Sequence, residues 1–338
     1  MLNPYSVVNF QTAIRVPSFT HAHVTTQGVL NNTCGKGYKF LPISNYYPSE
    51  PFDATGYTVP DDVIISPNAE HHNFSFRRYV TDSIHLCSLG STFSCGSPKG
   101  QTPKGYNGGF WTDFIDEALS ALKFADGGGI TINHPTWTRI TKGLDFPDWM
   151  IADMLDYDPR VLGIEILNAG GARHGEGMEY CIETWDNILA TGRKCWGFCT
   201  PDWYVSIPMS PSEYPHGPGY CVLLVDEFTE QKCLKAFRDG AFYSKEANTS
   251  LGFDSIAVND HTVTVSAANA TTISAIIDGQ RTDYSGTSAT ITVPSDAVYI
   301  RLEATSSDNK IYSNAITFKE GKRSLKPKAA DDSLLFFG

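Results

Sequence analysis

Positive charge is scarce in this 338-residue chain, in which 26 lysines and arginines stand against 37 aspartates and glutamates, for a formal net charge of −11. A protein that binds duplex nucleic acid normally has the opposite balance, because it must neutralise a phosphate backbone. We therefore expect no duplex nucleic-acid partner. A small anionic substrate remains compatible with this charge if metal ions supply positive charge locally.

Long apolar runs are missing too. No stretch of the sequence is suited to spanning a bilayer, and the N-terminal segment MLNPYSVVNFQTAIR lacks a basic region followed by an apolar one. We therefore expect no membrane association and, by default, a cytoplasmic location.

Motifs of paired cysteines and of a serine nucleophile are also lacking. The eight cysteines are scattered and form no CxxC pattern, so we interpret them mostly as buried thiols, with disulfides as the alternative. No G-x-S-x-G motif lies near a predicted strand end.

The triplet Gly127-Gly128-Gly129 is not interpreted as a phosphate-binding loop. It precedes a predicted strand, whereas a phosphate-binding glycine loop follows a strand and opens a helix.

Short apolar runs alternate with helical patterns over the first 245 residues. The runs include GGITIN, VLGIEIL and YCVLLV, and the helical stretches include FWTDFIDEALSALKFAD, in which Phe114, Ala118, Leu119 and Leu122 recur at helical spacing. Repeated strand-then-helix order predicts parallel strands, and about seven such units predict a barrel. The expected fold class is therefore α/β.

The sequence pattern changes after about residue 248. Six short alternating β-runs, among them HTVTVSAAN and AVYIRLEAT, are separated by Asn, Asp, Gly, Ser and Pro. This pattern predicts a small all-β sandwich. We therefore divide the chain into a barrel domain at 1–247, a β-sandwich domain at 248–320 and a tail at 321–338.

Histidines and carboxylates gather at the predicted strand ends, where barrel enzymes carry their chemistry. In FTHAHVTTQG, two histidines at i and i+2 would face one side of a strand, although two polar residues at a strand end are the simpler alternative. Imidazoles and carboxylates without cysteine suit zinc, manganese or iron and argue against a closed structural zinc site. The residues are His21, His23, Glu70, His85, His134, Glu165, Asn168 and Asp202.

The order of these motifs resembles the PHP (polymerase and histidinol phosphatase) superfamily of metal-dependent phosphoesterases, above all the branch with a small β-domain behind the barrel. The resemblance covers nearly the whole chain and implies a distorted (β/α)7-type PHP barrel followed by the β-sandwich. The matching segments are His21-Ala-His23, Glu70, HLCSLG with His85, Asn133-His134-Pro135, Gly163-Ile-Glu165-Ile-Leu-Asn168, and TWDNILATG ahead of Asp202.

The resemblance also implies a ligand set and an activity. Two divalent metal ions (Zn, Mn or Fe) would be bound, the first by His21, His23, Glu70 and Asp202 and the second by Glu70, His85 and His134. Glu70 would bridge the ions, and Asp202 would also orient a hydroxide that both ions activate. Asp202 and Glu70 are therefore the predicted catalytic residues of a phosphoesterase-type hydrolase that acts on a small phosphate ester.

The chain departs from the family where a third metal is commonly bound. The region after His23 reads VTTQG, and Tyr46 and Tyr204 stand where the family has histidines. We therefore predict a two-metal site and a bias towards diesters or non-phosphate substrates. The two tyrosines either donate hydrogen bonds to the substrate or only fill space.

Three further residues are predicted to contact the substrate. His72 shares the side of Glu70 on its strand, Asn168 ends a strand, and Arg173 lies on a glycine-rich loop. For His72 and Arg173 a solvent-exposed position is the alternative. Two other functions stay open: hydrolysis of carboxylic esters or amides at the same site, and a non-catalytic metal-binding scaffold.

Overall fold

The computed structural model describes residues 1–45, 56–72, 74–76, 79–81, 85–93, 110–136, 147–173, 179–203, 217–247, 249–307 and 309–325. For residues 74–76, 79–81 and 172–173 it describes the backbone alone. The helices are α1 Gln27–Gly35, α2 Trp111–Ser120, α3 Asp148–Tyr157, α4 Ile182–Leu189 and α5 Glu230–Asp239, with a 3₁₀ helix at Ala169–Arg173. Within these ranges, no helix combines the length and the hydrophobicity needed to cross a membrane.

Strands make up most of the regular structure. Those before residue 248 are β1 Ile14–Ser18, β2 Phe40–Pro42, β3 Ile64–Ser66, β4 Glu70–His71, β5 Phe74–Phe76, β6 Tyr79–Thr81, β7 His85–Leu89, β8 Gly129–Asn133, β9 Val161–Asn168, β10 Trp196–Thr200, β11 Tyr220–Val225 and β12 Phe242–Lys245. Those after it are β13 Gly252–Asn259, β14 Thr262–Ala268, β15 Thr272–Ile277, β16 Gln280–Ser285, β17 Ser288–Thr292, β18 Tyr299–Ser306, β19 Asn309–Ser313 and β20 Ile316–Thr317. The fold is mixed α/β.

Two sheets frame the candidate site. One has ten strands in the order β16-β15-β18-β19-β12-β11-β1-β2-β3, with β20 on β18, and the other has five in the order β10-β9-β8-β7-β4. β13, β14 and β17 form a third sheet, and β5 pairs with β6. The ten-stranded sheet crosses the predicted domain boundary, because β12 pairs with β19.

Parallel pairing occurs as expected between β1 and β2, β2 and β3, β8 and β9, and β9 and β10, but the strands of the described residues do not close into the expected barrel. β1 runs antiparallel to β11, and β11 runs antiparallel to β12 although α5 lies between them. The reason is that α5 returns the chain to the strand end that it left: the amide N–H of Leu224 donates to the carbonyl of Ala241. An intervening helix allows parallel pairing but does not impose it.

Apolar side chains at helical and strand spacing build the layers. Phe114, Ala118 and Leu119 are buried on α2, as their spacing predicts. α5 begins at its N-cap Thr229, whose side chain accepts a hydrogen bond from the amide of Lys232, and ends at Gly240 in the left-handed conformation. All seven cysteines in the described ranges are free thiols, and six of them are buried.

The strands after residue 248 share a core across two sheets. Val263 and Ile291 of the three-stranded sheet belong to the same buried cluster as Ile273 and Leu302 of the ten-stranded sheet. Two sheets that face each other across one apolar layer form a sandwich-like arrangement. Phe114 of α2 belongs to a second buried cluster, with Ile132 and Ile164 of the five-stranded sheet.

Candidate metal centre

The ends of both large sheets meet at one place. His21 and His23 follow β1, Asp202 follows β10, and the amide N–H of Asp202 donates to the carbonyl of His21 at 3.0 Å. His134 follows β8, whereas His85 begins β7. Because β7 is antiparallel to β8 and His85 pairs with Asn133, the amino end of β7 lies beside the carboxyl end of β8.

Four buried side chains converge on one point. Nε2 of His21 and Nε2 of His23 lie 3.3 Å apart. Oε2 of Glu70 lies 3.0 and 3.1 Å from these two nitrogens, and Oδ1 of Asp202 lies 3.3 and 3.2 Å from them. Atoms that share one cation at about 2.0–2.2 Å lie about 3.0–3.6 Å from one another. The separations therefore fit a common divalent ion.

The hydrogen bonding of the two carboxylates supports this fit. Oε2 of Glu70 and Oδ1 of Asp202 are buried and lack a hydrogen bond of standard geometry from the described residues, although imidazole nitrogens lie 3.0–3.3 Å from them. A buried carboxylate oxygen without a hydrogen bond is costly unless a cation compensates it. Two overlapping groups of side chains present atoms within 4.8 Å of one another, namely His21, Glu70 and His134, and His21, His23 and Asp202. These residues can bind metal.

The second oxygen of Glu70 faces a different set of residues. Oε1 lies 2.7 Å from Nδ1 of His85 and 3.4 Å from Nε2 of His134. The side-chain amide of Asn133 is 3.5 Å from the same oxygen. The two oxygens of one carboxylate therefore face two different pairs of imidazoles.

Charge and burial act against each other on these groups. Burial opposes ionisation of Glu70 and Asp202, but His21 and its neighbouring imidazoles hold the pKa of Glu70 well below its usual range and lower the pKa of Asp202 to about 2. Burial alone would lower the pKa of His21, yet Asp202, Glu70 and Glu165 raise it well above its usual value. The carboxylates are thus ionised, and a metal ion that binds must displace a proton.

Glu165 was noted as a strand-end carboxylate but not predicted to belong to the site. It lies 1% exposed on β9, and its Oε1 is 2.7 Å from Nδ1 of His21. Its position depends on Gly163, because a Cβ there would lie 2.0 Å from the carbonyl oxygen of Trp196 on β10. The close approach of β9 and β10 thus explains the glycine of the G-x-E-x-x-N segment, which is a second sequence signal for Glu165 besides its place near a strand end.

The backbone is unusual at two of the candidate ligands. His134 has φ 29° and Asp202 has φ 45°, both in the left-handed region that non-glycine residues rarely adopt. Each is held by a hydrogen bond from its amide, His134 to Glu165 at 2.7 Å and Asp202 to the carbonyl of His21. Such conformations concentrate at functional sites.

Of the five predicted substrate contacts, the structure describes the side chains of His72 and Asn168. The ring of His72 stacks on that of His85 with centroids 4.8 Å apart, whereas His71 is fully buried on the other side, near Phe114. The amide of Asn168 donates to Asp202 at 3.1 Å, within the site. Arg173 ends the 3₁₀ helix, but its side chain lies outside the described part of the chain, as do Tyr46 and Tyr204.

Comparisons with known proteins add little. No protein-family model and no curated protein matches the chain. Among solved structures, the chain is similar to a two-domain protein from Bacteroides vulgatus ATCC 8482 that contains a predicted PHP-like metal-dependent phosphoesterase. The two share 11% identity over 94% of this chain and 98% of that chain, with a TM-score of 0.44. What this chain does must therefore be inferred from its own residues.

Proposed function

We propose that the protein is a metal-dependent hydrolase of the phosphoesterase type that acts on a small anionic phosphate ester, with diesters favoured over monoesters. One observation carries the proposal: the buried nitrogens Nε2 of His21 and Nε2 of His23 lie 3.3 Å from each other and 3.0–3.3 Å from Oε2 of Glu70 and Oδ1 of Asp202. A buried set of two imidazoles and two carboxylates suits zinc, manganese or iron.

The residues would divide the binding of two ions between them. The first ion would be held by His21, His23, Asp202 and Oε2 of Glu70, and the second by Oε1 of Glu70, His85 and His134. Bound divalent ions supply a hydrolytic nucleophile near neutral pH and offset negative charge on a phosphoryl group. Asn168 fixes Oδ2 of Asp202 and leaves Oδ1 directed at the ligand cluster.

The number of ligands supports hydrolysis better than a plain structural role. A structural zinc site is closed by four protein ligands, whereas a catalytic site leaves a position for substrate. The second ion would have three protein ligands, Oε1 of Glu70, His85 and His134, and so would keep a position for a phosphate ester. Residues 1–247 would form the hydrolase part and residues 248–320 a supporting β-domain.

The test begins with protein purified without chelator. Its metal content is measured, and turnover of chromogenic phosphomonoesters, phosphodiesters and carboxylic esters is followed with added Mn²⁺, Zn²⁺ or Fe²⁺. We expect metal-dependent hydrolysis of phosphate esters, strongest on diesters, that His23→Ala and Asp202→Asn abolish. His261→Ala is the matched control, because His261 lies in the part of the chain after residue 248 and stacks on Phe318 instead of joining the ligand cluster.

Three outcomes would contradict the proposal. Protein that binds no divalent ion would remove its basis. Turnover of carboxylic esters alone would indicate a different hydrolase, and metal binding without hydrolysis of any ester would indicate a scaffold. Monoester turnover equal to or above diester turnover would overturn only the substrate preference.

A further inference from the structure

One buried carboxylate contacts residues at three of the strand ends that form the site. Glu165 accepts four hydrogen bonds, two on each oxygen. Oε1 faces Nδ1 of His21 at 2.7 Å and the hydroxyl of Thr200 at 3.2 Å. Oε2 accepts from the amide N–H of His134 at 2.7 Å and from the side-chain amide of Asn168 at 2.8 Å. A carboxylate has about four acceptor positions, so all are used.

We propose that Glu165 is a positioning residue that fixes the tautomer of His21 and keeps its Nε2 lone pair available for a metal ion. The inference rests on the metal-binding site of the proposed function. A carboxylate only accepts hydrogen bonds, so the ring nitrogen that faces Glu165 must carry the proton. A metal-bound imidazole is neutral and has one N–H, which Glu165 keeps on Nδ1, so Nε2 of His21, 3.0 Å from Oε2 of Glu70, is the nitrogen that gives up its proton to a metal ion.

Oε2 of Glu165 helps to position two further candidate ligands, His134 and Asp202. Its hydrogen bond from the amide of His134 holds a residue whose φ is 29°. Through Asn168, which donates to both Glu165 and Asp202, it is linked to the carboxylate of Asp202. Glu165 thus connects ligands that follow β1, β8 and β10.

The substitution Glu165→Gln gives a directional test. A glutamine offers one acceptor oxygen, and its amide nitrogen must face one of the two pairs of donors. The backbone N–H of His134 cannot become an acceptor, whereas His21 can move its proton from Nδ1 to Nε2 and the hydroxyl of Thr200 can rotate. The amide nitrogen should therefore face His21. The proton would then occupy Nε2, the atom that a metal ion needs.

The experiment is a titration of the full chain with Zn²⁺ and Co²⁺, read by calorimetry and by the visible absorption of bound Co²⁺. We expect Glu165→Gln to weaken the affinity about 10- to 100-fold, the usual cost of losing a residue that orients a ligand. The Co²⁺ spectrum should change, because one imidazole no longer coordinates. Thr200→Val removes a donor to the same oxygen but leaves the tautomer intact, so its affinity should stay closer to that of the wild type.

Glu303→Gln is the matched control for neutralising a buried carboxylate. Glu303 is 3% exposed and accepts from Arg281 at 2.7 Å and Arg301 at 2.6 Å. Its replacement should leave metal affinity and the Co²⁺ spectrum unchanged. If Glu303→Gln weakened metal binding as much as Glu165→Gln, the effect would be general destabilisation and the inference would fail.

A measurement on the wild type keeps the inference testable if Glu165→Gln does not fold. In the Zn²⁺-loaded protein, the ¹⁵N shifts of His21 should report a protonated Nδ1 and a coordinating Nε2. The reverse assignment would overturn the inference, as would unchanged affinity and an unchanged spectrum in Glu165→Gln. A wild type that binds no divalent ion would instead overturn the proposed function itself.

Discussion

Trp203 lies flat against the imidazole of His23, with ring centroids 4.2 Å apart and planes inclined by 16°. Trp203 therefore follows one candidate ligand, Asp202, in the chain and stacks on a second candidate ligand, His23. A stacked ring restricts rotation of the imidazole and holds its Nε2 towards Oδ1 of Asp202, 3.2 Å away. Nothing in the sequence singled out Trp203, and its contact with His23 was not foreseen.

Trp203→Ala should weaken metal binding by about 2- to 12-fold, because an aromatic stacking pair contributes about 0.5–1.5 kcal/mol. Trp203→Phe keeps a flat ring over His23 and should lie near the wild-type value. The measurement is a calorimetric Zn²⁺ titration of both variants. Equal affinity of the alanine variant and the wild type would mean that the ring of His23 is held by other contacts.

Asp202→Ala should lower the free energy of unfolding by about 1–3 kcal/mol more than Asp202→Asn does. Both variants remove the charge. Asparagine adopts the left-handed conformation that φ 45° requires and still accepts a hydrogen bond from Asn168, whereas alanine does neither. Urea unfolding with chelator present measures the difference. Equal stability would show that the backbone at residue 202 relaxes without cost.

The fold was predictable where the information is local. The periodicity of α2 and the glycine that ends α5 can each be recognised within a short stretch of sequence. The direction of β12 is not, because it depends on Ala241 returning to the side of Leu224. The pairing of β12 with β19 joins residues more than sixty positions apart and leaves no local signal. The sheet that joins strands on both sides of residue 248 therefore could not be predicted from the sequence.

The approach of several candidate ligands to one another was predictable because these residues follow or begin strands. His21, His23, Glu70 and Asp202 were selected on that ground, and the structure brings their side chains together. The role of Glu165 was not predictable, because a carboxylate on a strand is equally suited to bind a metal ion or an imidazole. Only its neighbours in space decide, and in the structure His21 and the amide of His134 are its partners.

Metal ions should stabilise the folded protein by mass action. At a free concentration 100 times the dissociation constant, a ligand that binds only the native state adds about 2.7 kcal/mol to the free energy of unfolding. Zn²⁺ or Mn²⁺ should thus raise the melting temperature and a chelator should reverse the increase. His23→Ala should lose the response and His261→Ala should keep it. A chelator-insensitive melting temperature in the wild type would contradict the site.

The final prediction concerns the contact between α4 and β18. Arg301 is 2% exposed, lies over the ring of Trp185 at 5.0 Å, and donates to Asp186 from Nε and Nη2 at 2.7 and 2.8 Å. Asp186→Ala leaves this buried guanidinium with Glu303 as its remaining carboxylate among the described residues. Removing one partner of a buried ion pair costs about 3–5 kcal/mol.

We therefore expect Asp186→Ala to lower the free energy of unfolding by several times the effect of Asp283→Ala. Asp283 also binds an arginine, Arg281, at 2.9 Å, but its side chain is 57% exposed. An exposed pair contributes about 0–1 kcal/mol because water screens it. Urea unfolding measures both variants. A loss for Asp186→Ala as small as that for Asp283→Ala would mean that Glu303 alone compensates the guanidinium, and that α4 and β18 are held together by apolar contacts instead.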